Sequence, residues 1–137
     1  MIHYTYYINK VIQFLKSVFF ISLLLLVILS LYPGSIIGFF LYGDLGKQPN
    51  LINNPFGTTI NHFFSYLYIS LLGFLVYLKT ENFPKMVFIL FFLSITLELL
   101  QLIVPNRTFQ LGDLVGNTLG VFVAYFIIKI YLLIQKS

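Results

Sequence analysis

Hydrophobic residues gather into four long runs separated by short polar stretches, and this pattern predicts four transmembrane helices. Each run is close to the 20 or so residues that a helix needs to cross about 30 Å of hydrocarbon. The runs are apolar on every face, whereas strands of a membrane barrel would alternate over about ten residues. The predicted spans are residues 14–32, 61–78, 86–104 and 114–134. Because the connections are short, residues 1–137 should form one domain, a compact all-α bundle of four helices.

The first span ends at Pro33 and Gly34, a pair that stops helices, and an apolar stretch follows at residues 36–42. Lys10 and Lys16 before a leucine-rich core would also suit a signal peptide. Since no small-x-small cleavage pattern follows, we expect an uncleaved membrane anchor. Tyrosines near both ends suit the membrane interface, namely Tyr4, Tyr6, Tyr7 and Tyr131.

The composition excludes a soluble domain and several kinds of chemistry. The chain is 59% hydrophobic and only 9% charged, against about a quarter charged in soluble domains. Cysteine is absent and histidine occurs twice, so neither thiol chemistry nor a structural zinc site is predicted, and no cofactor is expected. The net charge of +4 comes from basic residues spread singly, which does not indicate nucleic-acid binding.

The basic residues predict the orientation in the membrane. Six would lie on one side, Lys10, Lys16, Lys79, Lys85, Lys129 and Lys136, and two on the other, Lys47 and Arg107. Under the positive-inside rule this places both termini in the cytoplasm and the loops at residues 43–60 and 105–113 outside.

Glu98 places a carboxylate inside the third apolar run and is the most informative residue of the chain. A charged side chain at the bilayer centre costs roughly 2.5–3.5 kcal/mol on insertion scales, so polar partners usually meet it. With the span ending at residue 104, Glu98 should lie about 9 Å below the outer end of the helix. Polar side chains from the neighbouring segments are predicted to converge on it near the outer leaflet. The predicted cluster consists of His62, Glu98, Gln101, Arg107, Asp113 and Asn117.

Residue types alone leave the purpose of this cluster open between bundle structure, ligand binding and catalysis. An ion pair of Glu98 with Arg107 would be sufficient to hold a small bundle together. Alternatively, the same groups provide an acid, a base and an anion-binding guanidinium. Asp113 is also expected to be the N-cap of the fourth helix, and His62 could simply be an interfacial residue.

Small residues recur every four positions along the fourth span and form one ridge, at Gly112, Gly116, Gly120 and Ala124. Such a ridge lets two helices approach to backbone contact. We expect it to pack within the chain, against the third span, although it could instead support an oligomer.

The chain resembles the VanZ-like family in the run Glu98-x-x-Gln101, Pro105-x-Arg107 and Asp113-x-x-x-Asn117-x-x-Gly120. The family pattern also has an upstream helix that begins Asp-Lys-x-x-His. Here His62 matches the histidine, but Thr58 and Thr59 stand in place of the charged pair.

The resemblance implies a small bacterial plasma-membrane protein of a family named for low-level resistance to the glycopeptide teicoplanin. Three functions follow as expectations: binding of an amphiphile, either the antibiotic or a lipid-linked wall precursor; an intramembrane enzyme acting on a lipid-linked envelope substrate; or a structural accessory subunit. No serine among Ser65, Ser70 and Ser94 has a base at recognisable spacing, so a non-enzymatic role is favoured. Membrane lipids are the expected surroundings in each case.

Overall fold

A computed structural model describes the backbone of residues 2–49 and 56–135, and side chains from residue 7 onward within those ranges except residue 8. Five α-helices account for most of it: α1 (Ile2–Leu31), α2 (Ile36–Tyr42), α3 (Thr59–Tyr77), α4 (Phe83–Leu100) and α5 (Leu111–Ile134). All except α2 are long and apolar enough to cross a membrane. The all-α class and the four spans are therefore confirmed. Lys136 and the side chains of Tyr4 and Tyr6 lie outside the described residues.

The helix boundaries differ from the predicted spans at several places. α1 begins far before residue 14, because the polar residues ahead of the apolar run continue the same helix. The apolar stretch after Pro33 forms the separate helix α2, which begins where Ser35 Oγ accepts a hydrogen bond from Gly38 N and ends at Gly43 with a φ of 69°. α4 ends at Leu100 rather than residue 104, and α5 begins three residues early, at Leu111.

The glycine ridge brings α5 against α3. A Cβ added to Gly120 would lie 2.6 Å from the carbonyl oxygen of Phe63, and one on Gly116 would lie 2.7 Å from that of Thr59. Ala124 is fully buried in the same contact region. The ridge thus packs within the chain, as predicted, but the expected partner was wrong: it is the second span, not the third. Close backbone approach of this kind gains dispersion contacts that bulkier residues would prevent.

α1 lies at the edge of the bundle, where Leu15, Leu23 and Leu26 pack against the core beside two more specific contacts. Phe19 is fully buried, and its ring edge fills the space beside Gly73 of α3, where a Cβ would lie 2.8 Å away. Near the C-terminal end of α1, the carbonyls of Leu29 and Tyr32 accept hydrogen bonds from Arg107. Most of the apolar side chains of α1 are otherwise exposed and suited to lipid contact.

The segment after α2 folds back over it. Ser35 N donates to Leu45 O at 2.6 Å, and Asn61 Nδ2 at the start of α3 donates to Pro49 O at 3.1 Å. Residues 44–49 therefore form a cover at one end of the bundle, on the side where α3 and α5 begin.

Replacing Gly120 by alanine should destabilise the bundle, because the added methyl group meets the backbone of α3, which cannot move aside alone. Overpacking of this kind typically costs about 1–3 kcal/mol. The measurement is the SDS-induced unfolding of the purified protein in mixed micelles. Leu119→Ala, at the neighbouring lipid-exposed position, is the control and should change the unfolding free energy much less. Equal stability of the two variants would contradict the close α3–α5 contact.

Candidate functional site

Glu98 is fully buried in the last turn of α4. It lies only two residues before Leu100, about 3 Å along the helix axis, so the expected depth of about 9 Å was wrong. The chain leaves the helix through consecutive turns, in which Gln101 N bonds to Glu98 O and Leu102 N to Leu99 O. These turns replace the α-helical hydrogen bonds after Leu100, so the apolar residues that follow do not prolong α4.

Two donors from outside α4 meet the Glu98 carboxylate. Gln110 N, just before α5, donates to Oε1 at 3.2 Å, and Asn117 Nδ2 donates to Oε2 at 3.2 Å. Asn117 Nδ2 also donates to Ser94 O at 3.3 Å. Both oxygens of the carboxylate are therefore satisfied inside the bundle, which is what an intramembrane acid requires.

His62 of α3 joins this network from the opposite side. Its Nδ1 lies 3.0 Å from Asn117 Oδ1 and 3.9 Å from Glu98 Oε2, and its Nε2 lies 3.4 Å from Asp113 Oδ2. Because the Asn117 amide nitrogen faces two acceptors, its oxygen faces the imidazole and can accept a hydrogen bond from Nδ1.

Asp113 is almost completely buried, and its partners lie on α3. The hydroxyl of Thr59 donates to Oδ1 at 3.0 Å, and that of Thr58 lies 3.2 Å from Oδ2. The N-cap of α5 is Gln110, so the expectation that Asp113 caps this helix was wrong. Asp113 occupies the third helical position instead, where a negative charge still suits the positive end of the helix dipole. Thr58 and Thr59, which replace the Asp-Lys pair of the family pattern, thus supply donors to this carboxylate.

Arg107 does not form the ion pair with Glu98 that a structural role of the cluster would use; the described ion pairs involve His62. Its Nε donates to Tyr32 O at 3.2 Å and its Nη2 to Leu29 O. These carbonyls end α1, where a helix dipole favours a cation. Burial lowers the pKa of the Arg107 guanidinium, and the negative charge of Glu98 opposes this shift. The side chain remains a cation, since arginine does not deprotonate in proteins.

A partly open cavity of about 150 Å³ lies beside the network, between α1, α2 and the first half of α3. Its polar lining includes Arg107, Gln101 and His62. Its apolar lining includes Leu26, Leu29 and Ile37. Gln101 is almost fully buried, and no described hydrogen bond engages its carboxamide. The predicted residues therefore divide into two groups. His62, Glu98, Asp113 and Asn117 form the network, whereas Gln101 and Arg107 lie around the cavity.

Sequence reasoning missed several residues of the cavity wall. Asn61 and Tyr66 line it, and Asn61 Oδ1 and the Tyr66 hydroxyl are both buried without a hydrogen-bond partner. Tyr66 follows His62 by four residues on α3 and therefore lies one turn further on the same face. This spacing could have suggested Tyr66 from the sequence. Nothing in the sequence indicated that α1 contributes to the cavity wall, because Leu26 and Leu29 look like ordinary lipid-facing residues.

The fold and the buried polar network define a polytopic α-helical membrane protein with an intramembrane polar centre near one end. Within that class, the chain belongs to the VanZ/LLP1 family, whose family model matches residues 2–133. The earlier resemblance is thereby confirmed over nearly the whole chain. No curated protein and no solved structure shows a significant match to the chain.

Replacing Asn117 by leucine should destabilise the protein strongly, because it leaves Glu98 Oε2 without its hydrogen-bond donor and His62 Nδ1 without its acceptor. Each buried polar group left unsatisfied costs about 1–3 kcal/mol. The free energy of unfolding in SDS titrations measures the loss. Thr118→Val is the matched control, since the Thr118 hydroxyl bonds only within its own helix, to Leu114 O and Val115 O. A loss no larger than that of the control would show that the network does not support the bundle.

Proposed function

We propose that this member of the VanZ/LLP1 family is a non-enzymatic protein of the bacterial plasma membrane. It binds an amphiphile with an anionic headgroup from the outer leaflet, and in this way contributes to protection against teicoplanin. The cavity beside Arg107 is the binding site. The termini face the cytoplasm, in keeping with the excess of lysine on their side of the bundle, so that the cavity faces the cell exterior.

The observation that carries this proposal is the combination of a cation with an apolar wall in one partly open cavity. Arg107 has five N–H donors, and the carbonyls of Leu29 and Tyr32 use two of them. The remaining donors are free to bind a phosphate or carboxylate, a geometry for which guanidinium is well suited. The cavity is therefore matched to a ligand with an anionic head and an aliphatic body.

Gln101 supports the same ligand class. A polar group without a protein partner is costly in a membrane, where water is scarce. Because Gln101 lines the cavity beside Arg107, a polar headgroup bound there would supply the missing hydrogen bonds. This gives the site a neutral donor and acceptor next to the cation.

The contacts of His62 favour binding over acid–base catalysis. One ring nitrogen faces Asn117 and the other faces Asp113, so neither is directed to a ligand in the cavity. A general base must come within hydrogen-bond distance of the proton that it removes. Ser65 also lines the cavity, but its hydroxyl donates to Asn61 O at 2.8 Å rather than to a base. The imidazole and the carboxylates therefore support the wall of the site.

The test uses susceptibility to teicoplanin and vancomycin in a sensitive Gram-positive host that expresses the wild type, Gln101→Leu or Gln110→Leu. Gln101→Leu removes the unpartnered carboxamide from the cavity wall and replaces it with an apolar side chain of similar size. Gln110→Leu is the matched control, because the Gln110 side chain is exposed and makes no capping hydrogen bond. We expect the wild type and the control to protect and Gln101→Leu to lose at least about half of the gain in inhibitory concentration, at equal membrane abundance.

Three outcomes would contradict parts of the proposal. No protection by the wild type would remove the resistance role for this member. Full protection by Gln101→Leu would show that the cavity is not the binding site. If protection by every variant followed its abundance alone, the polar centre would be structural. Arg107→Lys serves as a second probe, since lysine keeps the charge but not the planar donor array.

A further inference from the structure

A second cavity, which is apolar and open at the surface of the bundle, lies between α4 and α5, away from the polar network. Its volume is about 380 Å³, and its wall includes Pro84, Val87, Phe88, Phe91, Phe122 and Tyr125. It occupies the half of these helices that includes the start of α4, opposite the end that holds Glu98. We call it the α4–α5 groove.

Aromatic side chains give the groove a defined shape. Phe91 contacts Phe122 edge-on across the two helices, with ring centroids 5.4 Å apart, and Phe88 packs on Phe92 at 4.3 Å. The glycine ridge draws α5 towards α3, whereas these large rings separate α5 from α4. The groove is thus built into the packing of the bundle, and in a membrane lipid chains are what can fill it.

Two lysines lie at the same depth at one end of the groove. Asn117 bonds to Ser94 and Phe122 contacts Phe91, so α4 and α5 run antiparallel. Extending this register places Lys85 level with about residue 127 of α5, only two residues from Lys129. Both side chains are exposed.

The same two lysines share helix faces with the groove. Lys85 precedes Phe88 by three residues, and Lys129 follows Tyr125 by four, spacings that put side chains on one face. Lys129 Nζ lies 5.3 Å from the centroid of the Tyr125 ring, which keeps the charge beside the groove wall.

We infer that the α4–α5 groove binds an anionic phospholipid, with an acyl chain between the aromatic rings and the headgroup phosphate between Lys85 and Lys129. The charge complementarity identifies the ligand, since basic pockets between transmembrane helices attract anionic headgroups. A second copy of the chain fits less well. A two-fold axis along the membrane normal would bring the lysines of both copies together at one depth, where like charges repel.

Fluorescence quenching tests the inference, because the chain has no tryptophan. Phe92→Trp introduces one indole at the groove wall, and Tyr68→Trp introduces one at a lipid-exposed position midway along α3 as the control. Each protein is reconstituted in phosphatidylcholine vesicles that contain a small fraction of phosphatidylglycerol, and either lipid is supplied with brominated acyl chains. Brominated phosphatidylglycerol should quench the groove indole more than its mole fraction predicts, and the control indole only in proportion.

Removing the two charges should remove this preference. On the Phe92→Trp background, Lys85→Gln with Lys129→Gln should lower the apparent affinity for phosphatidylglycerol by roughly tenfold or more, since each lysine near an anionic lipid contributes about fivefold. Lys47→Gln with Lys79→Gln removes equal charge elsewhere and should leave the preference intact.

Several results would overturn the inference. They are equal quenching by the two brominated lipids, a preference that survives loss of Lys85 and Lys129, and a dimer in which neither lipid quenches the groove indole. The α4–α5 groove lies apart from the Arg107 cavity. A negative result for lipid binding in the groove would therefore leave the proposed function untouched, and a negative result for the proposed function would leave lipid binding in the groove untouched.

Discussion

The structure depends on satisfying one carboxylate where water is scarce. Glu98 is fully buried, and both of its oxygens accept hydrogen bonds from outside α4. An unpaired carboxylate there would cost several kcal/mol, which exceeds what most single contacts contribute. Because its donors come from the start of α5, this requirement fixes how α4 and α5 meet. Asn117 extends this requirement to α3, since its amide oxygen also contacts His62 of that helix. One buried acid thereby ties together three of the four long helices.

The glycine ridge makes this network geometrically possible. With Gly116 and Gly120 against the backbone of α3, the helix axes come close enough for Asp113 to reach the hydroxyls of Thr58 and Thr59. Larger residues on the ridge would separate the helices, and the short side chains of the network could not span the gap. Packing and hydrogen bonding are therefore coupled, because small residues set the distance across which the polar groups act.

Separate from this tight core, α1 lies at the edge of the bundle, and a cavity adjoins its C-terminal end. Phe19 is buried against Gly73 at one level, and Arg107 binds the last carbonyls of α1 at the other. The cation that joins α1 to the bundle also lines the cavity. A ligand that competes for Arg107 would thus act on the contact that positions α1. The polar cavity and the apolar α4–α5 groove lie towards opposite ends of the bundle, which suits ligands from opposite leaflets.

The sequence alone determined the four spans, the family and the residues of the polar centre. It could do so because membrane helices are long apolar runs and a polar residue within one is conspicuous locally. Four of the six predicted polar residues form the network, and Gln101 and Arg107 lie beside it. Tertiary structure alone decided that the glycine ridge meets α3, that Arg107 bonds to α1 rather than Glu98, and that Gln110 rather than Asp113 occupies the N-cap position of α5. The physical reason is that lipid tails are as apolar as leucine, so hydrophobic pattern does not specify which helix faces meet. Close packing and the pairing of buried polar groups make that choice, and both depend on the whole bundle.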